Sequence, residues 1–154
     1  MIEFTVYGIA QTAGSKRAFP FHRKDGTIGV NVTDDNPKGK SWKHQVANAA
    51  FETWNGPLLD GPLSVRMMFY MPRLKSHFGT GRNATLLKAS APTWHIVKPD
   101  SQKLARCLVD ALTGVVWRDD AQISHEESFK FYGEPSRVEI QIKELPCPNN
   151  TTKS

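Results

Sequence analysis

The sequence predicts an α+β domain with a mixed, mainly antiparallel sheet and two helices on one face. Two observations predict it. Apolar and polar residues alternate over residues 2–9, 63–71 and 138–142, the period of strands with one covered face. Over residues 37–54 and 101–112 the apolar positions instead recur at three and four, the period of a helix with one greasy stripe. The resulting order of strand, hairpin, helix, strand, helix and two strands is that of helices packed against one face of a single sheet.

In the first strand Ile2, Phe4 and Val6 alternate with Glu3, Thr5 and Tyr7. A basic turn follows at Gly14, Ser15, Lys16 and Arg17. Asp25 and Gly26, a pair that tolerates positive φ, then lie between two short strands around residues 19–22 and 28–32, which predicts a two-stranded ribbon. Trp42, Val46, Ala49, Ala50 and Thr53 define the first helix and leave Lys40, Lys43 and His44 nearer solvent, with Gly56 and Pro57 ending it. Leu63, Val65, Met67, Phe69 and Met71 form a long strand, on which Met68 is apolar on the opposite face. That pattern fits either contact with another subunit or a second helix layer. Residues 72–94, rich in Gly and hydroxyl side chains and carrying Lys75, Arg82 and Lys88, are too long for a plain connection. Leu104, Cys107, Leu108, Ala111 and Leu112 define the second helix, closed by Gly114. Residues 122–132 read as a moderately polar strand, and Val138, Ile140 and Ile142 mark a closing strand antiparallel to its neighbour. A single domain over residues 1–145 and a frayed tail over 146–154 are expected.

A chain of 154 residues has the length of one ordinary domain, and 39% apolar residues with eight Phe, four Trp and three Tyr exclude a disordered chain. Twenty basic against fifteen acidic residues give a net charge of +5, a moderate tilt toward anionic partners. Two cysteines are too few for a disulfide scaffold or a cysteine-built zinc site, which fits a reducing compartment. No stretch approaches the ~20 apolar residues of a membrane span. A soluble, cytoplasmic protein with no membrane partner is expected.

The densest chemical constellation brackets the second helix. Asp100 stands at its start, Asp110 near its end, and Asp119 with Asp120 follow. About twelve helical residues cover ~18 Å, and five or six extended residues recover about 17 to 20 Å, so a chain turning back after Gly114 can return the later pair toward Asp100. Hard cations such as Mg²⁺ commonly need one or two carboxylates plus water and phosphate. Each acid also has an ordinary reading: Asp100 as a helix N-cap, Asp119 and Asp120 as a turn, Asp110 as a surface ion pair with Arg106.

Lys98-Pro99-Asp100-x-x-x-Leu104, followed by Leu108-x-Asp110-Ala111-Leu112-x-Gly114-Val115-Val116-Trp117-x-Asp119-Asp120-x-Gln122, resembles the signature of the RusA-type Holliday junction resolvases, small phage and bacterial endonucleases. Gly8, Gln11, Lys16 and Arg17 resemble the family's basic stretch after its first strand. The resemblance implies a RusA-like fold and a homodimer with two Mg²⁺-dependent sites, Mn²⁺ being a substitute and no organic cofactor being needed. It implies nicking of opposed strands of a four-way DNA junction, in recombination and repair, within a bacterial or phage-infected cell. It further implies that Asp100 and Asp120 hold the metal. Asp119 is a candidate to assist them, and the basic residues Lys16, Arg17, Lys75, Arg82 and Lys98 are candidates for contacts to the DNA backbone. The chain departs from the family at three positions: Gln102 replaces a second aspartate, Lys103 replaces the usual asparagine, and Arg106 replaces a lysine. Gln102 offers a neutral carbonyl oxygen and no charge. Arg106 stabilises negative charge but cannot give up a proton at ordinary pH. Two other functions are compatible with these departures: a branched-DNA-binding protein weakened in catalysis, and a protein-docking adaptor without nuclease activity.

Overall fold

The computed structural model describes residues 1–14, 16–34 and 36–147, excepting the side chains of residues 16, 17, 33 and 34. Four strands form the main sheet: β1 (Ile2–Tyr7), β4 (Leu63–Met71), β5 (Ile123–Tyr132) and β6 (Arg137–Glu144), in the order β1-β6-β4-β5. β6 is antiparallel to both its neighbours, β1 and β4, and β5 runs parallel to β4 at the edge. The closing strand is therefore antiparallel as expected, but it enters the middle of the sheet instead of pairing with β5. β2 (Lys16–His22) and β3 (Ile28–Asp34) form the separate ribbon. At its tip Gly26 adopts a φ of +83°, and the Asp25 carboxylate accepts from the Thr27 N–H and hydroxyl.

Helices α1 (Pro37–Thr53) and α2 (Ser101–Leu112) pack against each other and against the same face of the sheet, α1 over β1 and α2 along β5. The alternation of β4 explains the core. Leu63, Val65, Met67 and Phe69 are fully enclosed beneath the helices, beside Val138, Ile140 and Ile142 of β6. α2 contributes Leu104, Ala105, Cys107, Leu108, Val109, Ala111 and Leu112, and burying each of its leucines stabilises the domain by about 1.5–3 kcal/mol. Met68 lies on the opposite, helix-free face, paired with Phe129 of β5. Among the described residues no helix is long and apolar enough to cross a membrane.

The segment between β4 and α2 is more ordered than its composition predicts. It contains two single 3₁₀ turns, Lys75–His77 and Gly81–Asn83, and a bridge between Phe78 and Leu87. It then lines the free edge of β5, where the Tyr132 N–H donates to the Thr93 carbonyl and the His95 N–H to the Lys130 carbonyl. His77 and His95 are buried against the ring of Tyr132, with centroids 4.7 and 4.6 Å away.

Candidate functional site

The chain turns back after α2. After α2, Gly114 takes a φ of +82° and its N–H donates to the Trp117 carbonyl at 2.7 Å. Val116 and Trp117 are buried, and Leu59 pairs with this segment through its N–H to the Val116 carbonyl. The chain next forms a short 3₁₀ turn, Asp120–Gln122, and enters β5. β5 runs back along α2, because at its far end Lys130 Nζ donates to the carbonyls of Val97 and Pro99, both at 2.6 Å, just before α2 begins.

This return opens a hollow of about 500 Å³ between α2 and the start of β5, lined by Gln102, Arg106, Val109, Asp120, Ile123, Ser124 and Glu126. Gln102, Arg106 and Val109 stand at i, i+4 and i+7 on one side of the helix. A water molecule takes about 30 Å³ of liquid, so the hollow has room for a hydrated ion together with a phosphate group. Its side-chain donors are carboxylate, amide and hydroxyl oxygens, the set that hard cations prefer, so the residues present fit Mg²⁺. Among the described residues no three His, Cys, Asp or Glu side chains converge as a cluster. One or two carboxylates with water suffice for this ion.

The predicted site residues separate into groups. Gln102, Arg106 and Asp120 meet in the hollow. Asp100 lines a second hollow, with Thr12, Lys98, Pro99 and Lys103, at the start of α2. It occupies the N-cap position, yet its side chain makes no capping hydrogen bond, so the helix does not use its carboxylate. Asp119 lines neither hollow. Its carboxylate accepts from the Ala121 N–H and belongs to a capping box with Gln122. Asp110 pairs with Lys43 of α1 at 3.3 Å and not with Arg106, because the two helices lie side by side. Arg106 is thereby left facing the hollow. Lys75 and Arg82 are exposed on the segment before α2 and line neither hollow, and the side chains of Lys16 and Arg17 lie outside the described residues.

Three residues of this region escaped the sequence analysis: Ser124, Glu126 and Lys130. A signal was present. Glu126, Ser128, Lys130 and Tyr132 pair with Val65, Met67, Phe69 and Met71, which all face the helices. The helix-facing side of β5 is therefore polar where a core strand is apolar.

The model of the endodeoxyribonuclease RusA family matches residues 16–143, most of the chain. A second similarity is to the "Uncharacterized protein YqaN" of Bacillus subtilis (strain 168), 30% identical over 146 residues that cover 94% of this chain and 96% of that protein. The family match spans the whole string from Lys98 to Gln122, including Gln102, Arg106, Val109 and Asp120 of the hollow and the turn that closes it. The chain belongs to the RusA endodeoxyribonuclease family.

Proposed function

We propose that this protein is a Mg²⁺-dependent endonuclease that resolves Holliday junctions or related branched DNA by paired nicking. The observation that carries this reading is the hollow in which the turn after α2 meets the helix, with Asp120 on one side and Gln102 and Arg106 on the other. Asp120 holds the metal through its carboxylate, and Gln102 adds an uncharged carbonyl oxygen. Asp100, whose carboxylate caps nothing, stays available to metal or substrate at the helix start. Asp119 assists from the turn by fixing the position of Asp120. When bound, Mg²⁺ supplies Lewis acidity toward the phosphodiester and lowers the pKa of attacking water. Arg106 presents a planar fork of donors to the phosphate oxygens and stabilises the charge that develops there. Lys98 beside Asp100 contacts the DNA backbone, as do Lys16, Arg17, Lys75 and Arg82, positioning the substrate without reading bases.

A four-way junction offers equivalent strands in opposed pairs, and a two-fold homodimer presents two like sites to them. Such an enzyme acts in the cytoplasm of a bacterial or phage-infected cell. The test is incubation of a mobile four-way junction, beside linear duplex of the same sequence, with Mg²⁺ or Mn²⁺. Symmetric nicks in the junction alone are the expected result.

Gln102 favours one second reading, a junction-binding protein that has lost cleavage. That protein holds the junction without metal and leaves it intact in both Mg²⁺ and Mn²⁺. A docking adaptor fits less well, because it needs the acids only as caps and the Asp100 side chain caps nothing.

A further inference from the structure

We propose that Glu126 supplies the second carboxylate of the metal site, replacing the family aspartate whose position Gln102 occupies. This inference rests on the nuclease reading above. Glu126 lies on the helix-facing side of β5, beside fully buried Val65. A carboxylate in that phase of a strand is unfavourable as core, since ionised groups resist burial without partners. Its side of the strand instead opens into the hollow shared with Asp120 and Gln102, and the residue is exposed there.

Three further observations assign it to the metal. Among the described residues neither the Glu126 nor the Asp120 side chain makes a hydrogen bond or an ion pair, although Arg106 lines the same hollow, so both carboxylates keep their oxygens for another ligand. Asp119, the other nearby acid, has an oxygen committed to the Ala121 N–H. Ser124, which lines the same hollow, adds a hydroxyl oxygen to the set. Asp120 and Glu126 together provide the two carboxylates that a hard divalent ion commonly takes, with Gln102 Oε1, Ser124 and water completing its shell. The charge lost at Gln102 on the helix is thus returned from the facing strand.

The test is Mn²⁺ binding to the full chain, followed by the electron paramagnetic resonance signal of free Mn²⁺, with nicking and metal-free junction binding measured in parallel. Glu126→Gln, a near-isosteric change at an exposed position, is expected to weaken Mn²⁺ binding at least ~10-fold and to raise the Mg²⁺ needed for nicking, while junction binding in EDTA is not weakened. Gln102→Asp added to Glu126→Gln is expected to restore Mn²⁺ binding, which a purely structural role for Glu126 does not predict. Loss of Mn²⁺ binding in Asp120→Asn with full binding in Glu126→Gln overturns the assignment of Glu126 and leaves the nuclease reading standing. Full binding in both variants, or none in the wild type, overturns the metal site itself and this inference with it.

Discussion

Asp119 and Gln122 cap each other across the turn that enters β5. The Asp119 carboxylate accepts from the Ala121 N–H at 2.8 Å, and Gln122 Oε1 accepts from the Asp119 N–H at 2.9 Å and the Arg118 N–H at 3.0 Å. Gln122 Nε2 then donates to the carbonyls of Leu59 and Gly61, tying the turn to the segment before β4. Gln122→Ala removes four hydrogen bonds, of which those to Leu59 and Gly61 are partly buried, and is expected to lower stability by about 1–3 kcal/mol. Urea denaturation measures the loss, and a change below about 0.5 kcal/mol means that the turn holds without the side chain.

Asp120 lies one residue inside that turn and faces the hollow. Asp120→Asn keeps the shape and removes the charge, so nicking is expected to fall at least ~100-fold, about 2.7 kcal/mol of transition-state stabilisation. Junction binding without metal stays as it is. Retention of full nicking in a gel assay removes Asp120 from the metal site.

Gln102 adds no charge to the same hollow. Gln102→Asp is expected to lower the Mg²⁺ concentration that gives half-maximal nicking, because a carboxylate replaces a neutral amide beside the ion. An unchanged Mg²⁺ titration places residue 102 away from the metal.

Lys98 borders the hollow that holds Asp100 and is exposed to solvent. As a phosphate contact it contributes to affinity through counterion release. Lys98→Ala is therefore expected to weaken junction binding about equally for all sequences and to reduce the slope of log affinity against log salt by about 1. A wild-type salt slope in the variant excludes the contact.

His95 links the segment before α2 to pH. Its pKa lies below the usual 6.5, first because burial disfavours the charged ring and second because the Lys130 ammonium repels it. The folded protein therefore binds this proton less readily than the unfolded chain. The stabilisation is complete above the unfolded value of 6.5 and is lost as pH falls below it toward the folded pKa. Hydrogen-exchange protection of the Tyr132 amide, which donates to Thr93, is expected to decline between about pH 7 and pH 5. His95→Phe keeps the contact with the Tyr132 ring and should remove that decline. An equal decline in the variant assigns the effect to another group.

Much of the fold is legible because burial imposes periods on the chain. β4 follows strict alternation from Leu63 to Met71, and α2 carries its greasy stripe from Leu104 to Leu112, since each lies against a single core. What stays hidden depends on contacts between residues distant in sequence. Arg106 is four residues from Asp110, but Lys43, 67 residues away, takes the ion pair. Trp94 lies against Phe131 at the sheet edge, and no local pattern in a segment rich in Gly, Ser and Pro announces that bridge. At the site, Asp120 is marked by the family string, and Gln102 and Arg106 by their departure from the family pattern, whereas Glu126 sits in the run Ser124-His125-Glu126-Glu127-Ser128, whose polarity hides which residues face the helices. The partner strand resolves it, because Val65 opposite Glu126 is fully buried.

β6 lies between β1 and β4, although every other element precedes it along the chain. During synthesis the ribosome therefore releases both flanking strands before the one that joins them. Among the described residues the first strand has no partner in the main sheet until residues 137–144 emerge, so that sheet closes only with β6, and the edges of β1 and β4 that β6 joins stay open to other chains until then.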